Sequence, residues 1–309
     1  MPHIVDPQSG RLWSANNRVL SGEALALVGD GGYAPSHRAK QIRDALLALE
    51  DVTPGDLLHL QLDDRGLYLE PWRDFVLHQV LTPQAIEGHP QRAAARRLIE
   101  AWEGRAATDS AGYRVLRGFR QQLTDHLGDS LTPACRAVDK NFDYTGIYFR
   151  FETPLWAVIT GRPQHLLDPA YDSWDAYFLA AMDEVTGILT RDGKALDQAV
   201  WGQVNTARIR HPLSRAVPQL ASWLDMPPDQ LPGDSSMPRV QHPTFGASER
   251  MVVSPGREGE GFLHMPGGQS GNPLSPHYRD GHAAWVKGEP TPFLPGATEH
   301  QLRLVPGDG

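Results

Sequence analysis

The chain has 309 residues, with 29 Lys and Arg against 37 Asp and Glu and a net charge of −8. With no sustained basic tract, that balance removes the electrostatic term on which nucleic-acid binding depends, and the single cysteine, Cys135, excludes an intramolecular disulfide and a cysteine-rich metal site. The 30 glycines and 26 prolines, about 18% of the chain against roughly 12% in average usage, favour a loop-rich fold over a helical bundle.

The first residues, MPHIVDPQSG, carry neither a basic n-region nor an apolar h-region, so no secretory signal is expected in this chain and it reads as cytoplasmic as written. No apolar run approaches the length of a membrane span. Residues 3–5 and 11–20 are β-capable and flank turn chemistry at Asp6-Pro-Gln-Ser-Gly10. A glycine-rich loop, GDGGYAPS, follows over 29–36. Its last residue, Ser36, can cap a helix whose apolar positions Ile42, Leu46, Leu47 and Leu49 fall at helical spacing. Thr53-Pro-Gly-Asp56 has the hydroxyl cap, first-turn proline and first-turn acid of a second helix start. Leu57, Leu58, Leu60 and Leu62 supply that helix with a buried side. The neighbouring Asp63-Asp64 pair reads as its solvated end.

Further helices are expected over 65–80, 91–103, 111–127 and 174–190, punctuated by Pro83, Pro90, Gly104 and Gly128. Beyond Pro212 the composition shifts. The stretch 213–243 reads as a long ordered loop, 248–254 (SERMVVS) as a buried strand, and 261–265 as its antiparallel neighbour across PGREGEG. The chain therefore divides into a sheet segment (1–35), a mainly helical region (36–211) and Pro/Gly-rich loops with C-terminal sheet strands (212–309). Separated helices and strands without βαβ alternation indicate an α+β class.

Near the C-terminus, GGQSGNPLSPHYRDGH places a serine, Ser270, between glycines and ahead of His277 and Asp280. A nucleophile elbow needs G-x-S-x-G, and here the final glycine is displaced by one position. Triad members meet in space and seldom as sequence neighbours, so the stretch reads as a tight loop with Ser270 in a turn role. Asp168, Asp172 and Asp175 lack calcium-loop spacing, and His277 and His282 are not a helix-borne ligand pair. Asp30 is a weak candidate for one oxygen of a calcium site, against its reading as a turn aspartate. Cys135 reads as a small core residue.

Taken in order, WSANNRVL, GYAPSHRAKQIRDAL, TPGDLLHLQLD, WGQVNTARIRHPLSR and GASERMVV followed by MPGGQSGNPLSPHYRDGHAAWVKGE resemble the penicillin acylase (penicillin amidase) family of N-terminal-nucleophile hydrolases. The resemblance covers nearly the whole chain but only the C-terminal part of that family's β subunit. It implies part of an αββα sandwich carrying a large helical insertion, with the N-terminal strands and the nucleophilic serine lying upstream. It implies hydrolysis of an acyl amide (a β-lactam side chain, an acyl-homoserine lactone or similar) without an organic cofactor, in partnership with the upstream α/β-chain segment. A structural Ca²⁺ and a periplasmic location are implied for the full-length enzyme. Asn16 takes the oxyanion-hole role and Arg38 orders the active site; without the resemblance, Asn16-Asn17 reads as a β-turn pair. No residue of this chain is expected to replace the serine. An inactive remnant or partner-dependent scaffold of the same family is the alternative.

Overall fold

A computed structural model of the chain describes residues 3–29, 31–142 and 151–307. The architecture is α+β: helices occupy the middle of the chain, and a two-stranded antiparallel sheet lies in its last quarter. The main core is helical. The helix Ala111–Leu131 begins where the Ser110 hydroxyl accepts the Tyr113 amide at 3.1 Å. Its residues Val115, Leu116, Phe119, Leu123 and Leu127 recur at three- and four-residue steps, which gathers them on one buried stripe.

That stripe packs against the helix Trp174–Thr190, capped by Ser173 on the Ala176 amide and presenting Tyr177, Phe178, Ala181 and Met182. Each large apolar side chain buried here contributes about 1.5–3 kcal/mol relative to exposure. A third helix, Pro90–Glu100, approaches closely at Gly112. A Cβ there would lie 2.2 Å from the Leu98 carbonyl oxygen, so only glycine fits. The segment Glu70–Phe75 continues as a π turn over Val76–Val80 and adds Trp72 and Phe75 to the same core.

Thr53 and Asp56 form the expected cap in full. The Thr53 hydroxyl accepts the Asp56 amide and the Asp56 carboxylate accepts the Thr53 amide, starting the helix Pro54–Gln61. Strands β1 (Arg250–Val252) and β2 (Phe262–His264) pair with Arg250 opposite His264 and Val252 opposite Phe262. The fully buried Arg250 explains part of the GASERMVV and HAAWVKGE stretches. It donates to the Trp285 carbonyl at 2.8 Å, while Arg239 donates to the Val286 carbonyl at 2.7 Å. Both carbonyls belong to the last turn of the helix His282–Lys287, where cations are favoured. Burial, then repulsion from Arg239, pulls the Arg250 pKa down to about 9. His264 completes the set: its Nε2–H donates to the Glu289 carbonyl, so its Nδ1 faces Arg250 as acceptor.

Several expectations are corrected. Residues 3–5 and 11–20 are not strands; among the described residues they make a single parallel bridge, Asn17 with Ala34. Extended propensity becomes a strand only where a neighbour completes the hydrogen-bond ladder. Gly22–Val28, not anticipated, is a short helix with no buried residue and hence no burial pattern to reveal it. The 213–243 stretch holds helical turns at Pro212–Ala216 and Ala221–Leu224. Asp63-Asp64 is not a solvated helix end: Asp64 is buried on Arg105 at 2.7 Å, and Asp63 takes Arg65 at 2.6 Å and Gln41 at 2.8 Å. Cys135 is exposed on the short helix Pro133–Val138 and is not a core residue.

Candidate active site

Asn16 and Arg38 meet. The Ala34 amide donates to the Asn16 carbonyl at 2.9 Å, holding the N-terminal segment beside the entry to the helix His37–Ala48. From the first turn of that helix, Arg38 Nη2 reaches back to Asn16 Oδ1 at 2.9 Å and to the Ala15 carbonyl at 3.3 Å. A guanidinium at a helix N-terminus opposes the macrodipole, and these two acceptors are what it gains in return.

A carboxamide has one acceptor oxygen and one donor NH₂. With Oδ1 fixed by a cation that only donates, Nδ2 of the exposed Asn16 is left as the donor of the amide. Asn17 takes the local turn role instead, its Oδ1 accepting the Ala15 amide and its Nδ2 donating to the Arg18 carbonyl. Asn16 sits at φ +61°, in the left-handed region that asparagine tolerates better than other non-glycine residues. Burial lowers the Arg38 pKa from its ordinary value.

Both residues line a cavity of about 560 Å³ together with His37, Tyr68, Arg117, Arg120, Gln121 and Glu152 from helical segments and Ser235, Ser236, Pro238, Val240 and Phe245 from loops. Arg117 and Arg120, three apart on the helix Ala111–Leu131, point the same way. Arg120 is clamped by Glu152, whose other oxygen accepts Trp72 Nε1 at 3.0 Å. Arg117 is clamped by Asp234, which also accepts the Tyr113 hydroxyl at 2.7 Å and the Ser235 amide at 2.6 Å.

Burial alone raises a carboxyl pKa. For Glu152, hydrogen bonds and charge from Arg120 outweigh that burial, and for Asp234 the charge of Arg117 and its bond do so; both stay below the ordinary carboxyl value. Burial, and next the charge of Asp234, pushes Tyr68 up to about 12. Burial lowers His37 despite the nearby Glu152 charge. The wall near neutral pH therefore presents two closed ion pairs, a neutral phenol and an imidazole biased toward neutrality.

The GGQSGNPLSPHYRDGH stretch lies elsewhere. Its Ser270 hydroxyl accepts the Asn272 amide at 3.1 Å, a turn bond within its own loop. Gly268 is required there, because a Cβ would sit 1.9 Å from the His277 carbonyl oxygen. His277 and Asp280 bond each other at 2.8 Å on the exposed surface, and none of the three lines the Asn16 cavity. Asp168 caps the Ala170 amide and Asp175 pairs with Arg162. Asp30 lies outside the described residues, and among the described residues no three His, Cys, Asp or Glu side chains converge as a metal cage requires.

Sequence reasoning passed over His37, Tyr68, Arg117, Arg120 and Glu152. Only the three-residue spacing of the two arginines hinted at a shared direction. The sequence pattern of the penicillin amidase family matches residues 1–300. The chain belongs to the penicillin amidase family. It is 26% identical to penicillin acylase 2 proenzyme of Pseudomonas sp. (strain SE83), over 95% of this chain and 38% of that protein. It is 27% identical to acyl-homoserine lactone acylase QuiP of Pseudomonas aeruginosa, over 94% of this chain and 38% of the relative. With QuiP of Pseudomonas putida the identity is 27%, over 99% and 40%. The chain thus spans about two fifths of the length of the curated relatives it matches. Within this penicillin amidase chain, the WGQVNTARIR stretch is built around a buried Asn205, whose Nδ2 holds the carbonyls of Leu231, Gly233 and Gln241 at 2.7–3.1 Å.

Proposed function

We propose that this chain is the C-terminal β-subunit segment of a penicillin-acylase-type amidohydrolase that cleaves the amide between an acyl chain and an amine. The single observation carrying the reading is the Asn16–Arg38 pair on the lining of a cavity, with Asn16 Oδ1 occupied by the guanidinium and Nδ2 left as its donor group. In the proposed reaction the nucleophile is an upstream N-terminal serine. Its α-amino group, with a pKa near roughly 8, takes the proton of its own hydroxyl as Oγ attacks the acyl carbon. Asn16 Nδ2 donates to the oxygen that becomes negative, and Arg38 acts as a positioning residue through Asn16 Oδ1. The amine leaves with the proton, and water then hydrolyses the serine ester to the free acid.

In this reading the segment 3–28 docks on strands of an αββα sandwich supplied by the upstream α/β-chain polypeptide. Ile4, Val5, Leu12, Val19 and Leu27 support it, being apolar and exposed along a stretch with one bridge of its own. The test is hydrolysis of chromogenic phenylacetyl, glutaryl and fatty-acyl anilides by this chain co-produced with the polypeptide encoded directly upstream. Asn16→Ala is expected to lower kcat about 10²–10³-fold, with KM little changed and the chain alone inactive. Turnover indifferent to Asn16→Ala, or turnover by the chain alone, would refute the reading.

A further inference from the structure

We propose that the chain carries a second ligand site, separate from the Asn16 cavity, that takes a small organic molecule pairing a carboxylate or phosphate with a short apolar body. Two of the stretches singled out in the sequence, WGQVNTARIRHPLSR and GGQSGNPLSPHYRDGH, leave no residue in the Asn16 cavity. They meet instead at a cavity of about 800 Å³ that shares no lining residue with it. That volume lies within the range of small-molecule sites.

Three arginines line this cavity: Arg208 and Arg210 from the first stretch and Arg279 from the second. Among the described residues none of the three makes an ion pair, whereas Arg65, Arg92, Arg105, Arg117, Arg120 and Arg162 all do. Arg279 is held in place, its Nη2 donating to the Ser222 carbonyl at 2.9 Å, yet its Nε is buried without a hydrogen-bond partner. The acid on the lining, Asp225, accepts the Ser214 hydroxyl at 2.5 Å and the His211 amide at 2.9 Å, and its charge offsets part of that of Arg210 without forming an ion pair.

Three arginines against the one carboxylate of Asp225 leave a net positive charge on the lining, and the planar guanidinium fork fits carboxylate and phosphate oxygens. Gln203, Thr206 and Ser222 also line the cavity, and Val204, Ile209, Met226, Pro227 and Pro228 form an apolar part of the wall available to an aliphatic or aryl body. The backbone behind it is fixed, because the Met226 amide donates to the Ile209 carbonyl at 3.1 Å and the Ala207 amide to the Asp229 carbonyl at 2.8 Å. This site does not depend on the amide-hydrolase reading.

The experiment is titration of the chain with hexanoate and with hexyl phosphate, followed through the arginine Nε–H resonances by NMR. Saturable shifts are expected at Arg279, with hexanoate binding more tightly than acetate and neutral hexanol giving no shift. Arg208→Gln and Arg210→Gln, both at exposed positions, should each weaken binding about tenfold or more, and Asn16→Ala should leave it unchanged. Absence of saturation, equal binding of hexanol, or full affinity in both arginine variants would overturn the proposal. So would loss of binding in Asn16→Ala, which would assign hexanoate to the other cavity.

Discussion

Asp234→Ala tests the electrostatic frame of the candidate site. The Asp234 side chain is 1% exposed and is the common acceptor of Arg117, the Tyr113 hydroxyl and the Ser235 amide. Removing the carboxylate strands a guanidinium whose side chain is 29% exposed. Breaking one side of a buried ion pair costs about 3–5 kcal/mol, and solvent reaching Arg117 through the cavity favours the lower end. A buried phenol hydroxyl losing its acceptor costs about 1–3 kcal/mol more, less what the Tyr68 oxygen, 3.4 Å away, recovers. The expected loss is about 3–5 kcal/mol, read from urea unfolding at pH 7 by linear extrapolation.

The double variant Arg117→Met, Asp234→Leu should be markedly less destabilised than the sum of its single variants, because no charge is then left buried. The sign with pH follows from the depressed Asp234 pKa. The stabilisation is present above the unfolded carboxyl value near about 3.9 and is lost as pH falls through the folded value, so the penalty of Asp234→Ala shrinks on acidification. A loss below about 1 kcal/mol at pH 7, or strict additivity of the two single variants, would refute the reasoning.

Thr53→Ala removes one half of the capping box at Pro54–Gln61 and should cost about 1 kcal/mol in the same assay. Asn205→Ala unties three carbonyls from a fully buried amide; a loss of about 2–4 kcal/mol is expected, accompanied by faster hydrogen exchange in residues 231–241. Burial depresses the pKa of His37, His242 and His264. Stability should therefore decline from about pH 6.5 downward, as the unfolded imidazoles bind protons that the folded ones refuse. Urea midpoints between pH 8 and 5 read this slope, and a flat profile would contradict the burial of these rings.

The parts of the fold legible in the sequence are those whose determinants are local. Thr53 and Asp56 sit three residues apart and cap each other; the helix Trp174–Thr190 shows its own periodicity; β1 and β2 are neighbours in sequence, joined by the polar connection 253–261. Asn16 and Arg38 were legible only through a family resemblance, since nothing in their spacing shows that a guanidinium would hold a carboxamide 22 positions away. The rest of the cavity wall was hidden for the same reason. Arg117 and Arg120 look like the polar face of a long helix, and their acids, Asp234 and Glu152, stand 117 and 32 residues further on. Asp64 looks solvated in the sequence because its partner, Arg105, is 41 positions distant.

That distribution has a physical consequence for the site. Among the described residues Arg38 is an arginine on the cavity wall that no carboxylate clamps, while Arg120 and Arg117 on the same wall are closed by Glu152 and Asp234. Preorganised donors stabilise developing negative charge without reorganising, and in the proposed reaction Asn16 Nδ2 would be such a donor. Long-range pairs suit this purpose better than local ones. Each ties a different segment (the Ser235 loop through Asp234, the Glu152 helix through Arg120) to one long helix, so two segments of the cavity wall share a single support.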